Sequence, residues 1–168
     1  MKENYNNIFE DITSKLNYRP KVLLHSCCAP CSSHVVTLLK EYFDVTVLYY
    51  NPNIYPLEEY LKRKNEQIKL LEILNIPIMD IDYDKIKEIY GNDILSEIIS
   101  NKEDIIKNLY YFYQLGFEDV EDIFERQVMI FICSNDEFIN KINNLINKIG
   151  NNYIDEIENN IELLDELN

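Results

Sequence analysis

Glycine is scarce in this chain, with three residues in 168, and tryptophan is missing altogether. That scarcity excludes collagen-like, glycine-rich and repetitive fibrous architectures. No stretch approaches the roughly 18 uninterrupted apolar residues of a membrane-crossing helix, so no membrane association is expected. The opening segment, MKENYNNIFEDITSKLNYRPK, is acidic and amphipathic where a secretion signal would carry an apolar core. A cytoplasmic location is the resulting expectation. Basic side chains are also few, 16 against 30 acidic ones, for a net charge of −14. The deficit is lopsided: residues 1–84 hold 9 basic and 12 acidic groups (−3), residues 85–168 hold 7 and 18 (−11). A surface that neutralises phosphates needs the opposite sign, so the second half is a poor partner for a nucleic-acid backbone. What remains, 46% hydrophobic and 12% aromatic residues, is enough apolar material for a packed core. The length suits one domain, or a small domain with an appendage.

Hydrophobic spacing places the elements. Tyr5, Ile8, Phe9, Ile12 and Leu16 predict a leading helix over 5–17, closed by Pro20. The run 21–25 (KVLLH) reads as a central strand of a parallel sheet, and 45–50 (VTVLYY) as a second strand. Between them, residues 30–43 read as a helix with Val35, Val36, Leu38, Leu39, Tyr42 and Phe43 facing inward. Residues 51–56 (NPNIYP) carry the punctuation of a loop, 57–75 form the strongest helix, and 76–81 a third strand. Alternating strands and helices predict a doubly wound α/β sheet with right-handed crossovers. Ligands of such sheets sit beyond the carboxyl ends of the strands.

Past residue 84 the patterns are helical, with Val128–Cys133 the one candidate for a further strand. A spacing of 34 residues relates Ile105 to Ile139, Phe112 to Ile146, Leu115-Gly116 to Ile149-Gly150, and Ile123 to Ile157. That is the pattern of two stacked helix–turn–helix units. The expected division is therefore a Rossmann-like α/β domain over 1–84 and an acidic, all-helical region over 85–168.

Four cysteines are present, and three fall within five residues: His25-Ser26-Cys27-Cys28-Ala29-Pro30-Cys31. In a reducing compartment such a cluster points to metal or redox chemistry and not to a structural disulfide. Pro30 fits the first turn of the following helix, whose N-terminus favours thiolates. Thiolates are the soft ligands taken by zinc and iron–sulfur clusters. His25 beside them can tune a metal or deliver a proton. Asn51, Asn53 and Tyr55 are placed to line a pocket, and Arg63 to hold a phosphate. Asp80, Asp82 and Asp84 alternate at a strand end, where a solvated edge or a hard cation would both fit. His34 and Cys133 read as structural.

LLHSCCAPCS, followed by YYNPNIYPLEEYLKRKNEQ and a strand ending in DYD, resembles the epoxyqueuosine reductase QueH family over residues 19–84, reaching back to about residue 4. The resemblance implies a nucleotide-α-hydrolase-like Rossmann fold and an iron–sulfur cluster of the 4Fe-4S type. It implies reduction of the epoxide of epoxyqueuosine in tRNA, the last step of queuosine synthesis. By the same resemblance Cys27 and Cys28 are the first pair of cluster ligands and Cys31 belongs to the same motif, with a nearby metal or structural role; Cys31 and His25 are the candidate catalytic residues. The family's second cysteine pair and its further redox-active pair have no counterpart, since Cys133 alone follows Cys31. The second half loosely resembles the helical repeats of mitochondrial transcription-termination-factor-like proteins. Two other readings stand beside the reductase: a thiol–disulfide oxidoreductase using Cys28-Ala-Pro-Cys31, and an inactive scaffold whose acidic helical half binds a protein partner. A homodimer sharing a cluster would supply the missing ligands.

Overall fold

Short β-rich runs separated by helical segments can pair in parallel only if each helix carries the chain back across the sheet. The computed structural model, which describes residues 4–167, has three such strands: β1 (Lys21–His25), β2 (Asp44–Tyr49) and β3 (Ile78–Asp80), in the order β1-β2-β3. Helix α1 (Tyr5–Ser14) leads in, and α2 (Ala29–Leu39) and α3 (Leu57–Leu74) make the crossovers. The chain continues through α4 (Tyr83–Tyr90), α5 (Ile94–Ser100), α6 (Lys102–Leu115), α7 (Val120–Arg126), α8 (Val128–Phe131), α9 (Asn135–Ile149), α10 (Tyr153–Asn159) and a 3-10 turn at Ile161–Leu167. No helix among the described residues is long and apolar enough to cross a membrane.

The protein is thus α/β, but with a smaller sheet than the doubly wound plan. Strand β2 is the middle one, and β1, expected to be central, lies at an edge with its first residue exposed. The run 128–133 is not a strand: α8 turns there so that Val128, Ile130 and Phe131 are buried together. Both crossover helices lie on the same face of the sheet, where α2 packs on α3.

The two-residue period of the strands explains the layering. Register pairs Leu24 with Val47 and Leu48 with Met79. Val45 and Val47 turn toward α2 and α3 and form a small core with Val36, Leu71 and Ile76. Leu48, Tyr50, Met79 and Ile81 join the opposite, larger core, made mostly by helices α4 to α10. Thr46 marks that second face, its hydroxyl 2.9 Å from the Tyr113 hydroxyl of α6. Val35, Leu38 and Tyr42, read as inward-facing, are instead substantially exposed, as are Tyr5, Ile8 and Ile12 of α1. Helix α1 is held by Phe9, whose ring meets Tyr42 edge-on at 5.5 Å.

In the helical half, α6 and α9 each end at a glycine in positive φ, Gly116 (101°) and Gly150 (95°), before α7 and α10. Phenylalanines fill the space between these helices. Phe131 is fully buried, with ring centroids 5.3 Å from Phe112, 5.2 Å from Phe124 and 5.0 Å from Phe138.

A Phe131→Ala substitution should therefore cost about 3–5 kcal/mol, the range for emptying a well-packed aromatic site. Urea unfolding followed by circular dichroism measures it. A loss below about 1 kcal/mol would show that the helical half does not depend on this cluster.

Candidate functional site

Strand β1 ends at His25 and α2 begins at Ala29, so three residues turn the chain from strand to helix. The turn contains no glycine and no residue in positive φ. Side chains hold it instead. Gln67, in the middle of α3, is fully buried. Its Oε1 accepts from the Ser26 hydroxyl at 3.0 Å and the Ser32 hydroxyl at 3.1 Å. These two serines bracket the cysteines. The Ser32 hydroxyl is also 3.1 Å from the Cys28 carbonyl, and the Asn51 amide donates to the Ser26 carbonyl at 2.8 Å.

The result is a gathered set of thiols. The sulfurs of Cys27, Cys28 and Cys31 all lie within 4.8 Å of one another, with Cys27 and Cys28 4.0 Å apart. Two sulfurs bound to one tetrahedral ion at about 2.3 Å would stand about 3.8 Å apart. The three donors therefore fit a thiolate-loving metal with small adjustment, and they leave one position of a four-ligand set unclaimed. Cys27 and Cys31 are exposed and Cys28 is half-buried, so the site is open to solvent.

Electrostatics divide the thiols. Cys28 is held below the ordinary thiol range, first by the Cys31 thiol acting as donor. Burial opposes this, while the Cys31 backbone N–H, the Cys27 thiol and the Arg63 charge pull the same way. Cys31, as the donor in that pair, is pushed up to about 11. Arg63 lies within electrostatic reach of Cys27 and Cys28 and is anchored by Glu59, its Nε 2.7 Å from Oε1. Tyr49 stands behind, raised to about 12 by burial, and its hydroxyl donates to the Tyr60 carbonyl at 3.3 Å.

The other candidates fall into distinct places. His25 has its Nε2 2.8 Å from the Tyr50 carbonyl, and burial lowers its affinity for a proton. It lines a cavity with Ile106 and Tyr110 of α6, on the sheet face away from α3. Asn51 is buried and joins the loop after β2 to the cysteine turn. Asn53 is exposed and accepts from Lys102 Nζ at 3.0 Å. Tyr55 is 90% exposed, at the rim of a cavity next to α3. Asp80 pairs with Lys64 at 2.6 Å, Asp82 caps α4 by accepting from the Asp84 and Lys85 N–H groups, and Asp84 pairs with Lys87 at 3.2 Å. The three acids thus have separate partners. Cys133 donates to the Ile130 carbonyl, remote in sequence from the thiol set, and His34 is exposed.

Sequence reasoning missed Ser26, Ser32, Gln67, Tyr60 and Tyr83. The signal for Gln67 was its place on one face of α3 with Tyr60 and Leu71, the buried residues of that helix. A glutamine between two core positions needs a polar partner underneath.

A sequence model of the family described as epoxyqueuosine reductase QueH matches residues 22–153, well past the motif-bearing first half. The chain is similar to the epoxyqueuosine reductase QueH of Acinetobacter baylyi, 57% identical over 65 residues, which are 38% of this chain and 30% of that protein. The protein of the same name from Histophilus somni is 53% identical over 66 residues, 39% of this chain and 27% of the relative. That from Staphylococcus epidermidis is 42% identical over 77 residues, 44% and 32% of the two chains. The matched segments thus cover less than a third of each relative's length. No solved structure matches.

For the metal-free protein, the donor role of Cys31 predicts an order of thiol reactivity. A lowered pKa leaves more of Cys28 as thiolate at neutral pH, so Cys28 should alkylate before Cys31. Cys31→Ala removes the donor, raises the pKa of Cys28 and should slow its alkylation at pH 7 several-fold. Mass-spectrometric peptide mapping after iodoacetamide reads both rates. An unchanged Cys28 rate in the variant would contradict the assignment.

Proposed function

The chain belongs to the epoxyqueuosine reductase QueH family, and from that premise we propose that it is an iron–sulfur oxidoreductase that reduces epoxyqueuosine in tRNA to queuosine. The observation that carries this reading is the convergence of three thiols at the carboxyl end of a parallel strand. Cys27, Cys28 and Cys31 would hold a cluster of the 4Fe-4S type, which, when bound, supplies electrons for the reduction. Cluster sites of that type use four thiolates; the described residues gather three, and a partner, another subunit or a non-cysteine side chain would complete the set.

The chain's own part is to bind and orient. Removing an epoxide oxygen takes two electrons and two protons and releases water. Cys27 and Cys31 are exposed, so a macromolecular substrate would reach them directly from solvent. Arg63, within electrostatic reach of the thiols but paired with Glu59, would hold a phosphate of the substrate backbone by exchanging that partner. Lys62 on the same helix and Lys102, bound to the loop at Asn53, add positive charge around a site set in an otherwise acidic protein. The acidic helical half serves to cover the second face of the sheet. This activity would take place in the cytoplasm, where tRNA is found.

A second reading rests on the Cys28 and Cys31 thiols gathered within 4.8 Å at the start of α2, with Cys28 held below and Cys31 above the ordinary thiol range. A CxxC thiol–disulfide oxidoreductase needs such an asymmetry. Turnover of insulin disulfides with dithiothreitol would favour it.

Anaerobic reconstitution of the wild type and of Cys27→Ala/Cys28→Ala, followed by incubation with epoxyqueuosine-containing tRNA and nucleoside analysis, tests the main proposal. The wild type should bind iron and acid-labile sulfide and form queuosine, and the double variant should do neither. An iron-free wild type, or equal conversion by both proteins, would overturn it.

A further inference from the structure

Beyond the ends of β2 and β3, a cavity of about 390 Å³ opens between the loop 51–56, α3 and the start of α4. Pro52, Ile54, Leu57 and Leu61 give it apolar walls, and Tyr55 stands at the rim. Leu57 and Leu61 are exposed and line this space. Tyr60 and Tyr83 line it as well, their rings edge-on with centroids 5.8 Å apart. Tyr60 is 7% exposed, and its hydroxyl has no hydrogen-bond partner. The Tyr83 hydroxyl is buried too; the Asn51 N–H lies toward it, but no bond closes. Packing alone does not require these hydroxyls, since phenylalanine would fill the same space without a buried polar orphan. A buried donor left unmade is a penalty that a ligand atom can remove.

The charged groups at the cavity restrict what that ligand is. Lys64 is paired with Asp80 and Lys87 with Asp84, while Asp82 caps α4. Both cations are thus matched by carboxylates, which disfavours phosphate. Aromatic and aliphatic walls with two hydroxyls suit an uncharged flat ring carrying hydrogen-bonding edges.

We propose that this cavity receives the heterocyclic base of the modified nucleoside, with the Tyr60 and Tyr83 hydroxyls as specificity-determining partners and the sugar–phosphate left outside. The inference rests on the reductase reading for its choice of nucleoside. Asn51 connects the two sites: it lines the cavity and donates to the Ser26 carbonyl next to Cys27. A base seated here would be linked to the cysteine turn through Asn51.

The test is titration of the purified full chain with free queuosine nucleoside by calorimetry, with iron content and reductase activity measured on the same preparation. Tyr60→Phe, which removes one oxygen, should weaken nucleoside binding about 5–10-fold without lowering the unfolding midpoint, and Tyr83→Phe should act in the same direction. Inorganic phosphate should not compete. Nucleoside binding that is absent in the wild type, unchanged from the wild type in both variants, or displaced by phosphate would overturn the proposal. Failure of the reductase reading looks different: no iron and no conversion, with nucleoside binding still sensitive to Tyr60→Phe.

Discussion

A glutamine amide buried inside a helix is costly unless something hydrogen-bonds to it, and in this protein the cysteine turn does so. Burying an amide without a partner costs on the order of 2–7 kcal/mol, depending on the reference state. Gln67 offsets part of that through its Oε1, which accepts from Ser26 and Ser32, while its Nε2 has no partner among the described residues. Each of these bonds fixes the residue next to a cysteine, and Asn51 fixes the Ser26 carbonyl from the other side. The turn needs no glycine because its shape is held from below by side chains. Three thiols then share one small volume as a consequence of packing α3 on the sheet.

The rest of the fold serves that placement. Alternation along β2 and β3 sends Tyr49 and Asp80 to the α3 face, where they meet Tyr60 and Lys64. The other face is covered by the helical half, and its acidity does not prevent that half from bracing the site. Glu125 of α7, with a side chain only 7% exposed, takes Lys85 at 2.9 Å and the Asp82 backbone N–H at 2.7 Å. The chain segment after β3 is thereby tied to the helical core. Lys85 also bonds Asp122 at 2.6 Å, which holds that carboxyl below its usual range. Acidic residues in this half thus do structural work at the strand ends while the remaining charge stays solvated.

The strands, the long helix α3 and the thiol cluster were legible in the sequence because each rests on local pattern: β-branched runs, a long amphipathic stretch, cysteines one to four residues apart. The family resemblance was legible for the same reason. The edge position of β1 was not, since strand order depends on which runs pair and a five-residue apolar run looks the same in the middle or at the side. The run 128–133 misled because apolar, β-branched composition does not distinguish a strand from one buried helical turn. On α2 and in the turn after it, Val35, Leu38 and Tyr42 look like core residues by spacing, yet the three-stranded sheet does not cover them. Gln67, Tyr60 and the cavity beside them were hidden because their roles arise only when α3 is laid across β2 and β3.

The Gln67 network ties down both residues that bracket the three thiols, whose sulfurs lie within 4.8 Å of one another. The most direct measurement is a cobalt(II) titration of the metal-free protein and of Gln67→Leu, following the near-ultraviolet thiolate-to-metal charge-transfer band. The wild type should show a one-to-one complex with the intensity of three thiolates. Gln67→Leu, which keeps every cysteine and fills the same volume, should bind at least about tenfold more weakly, the range seen when groups supporting metal ligands are removed. Equal affinity and an identical spectrum in the two proteins would show that the thiols gather without the buried amide, and would contradict the account.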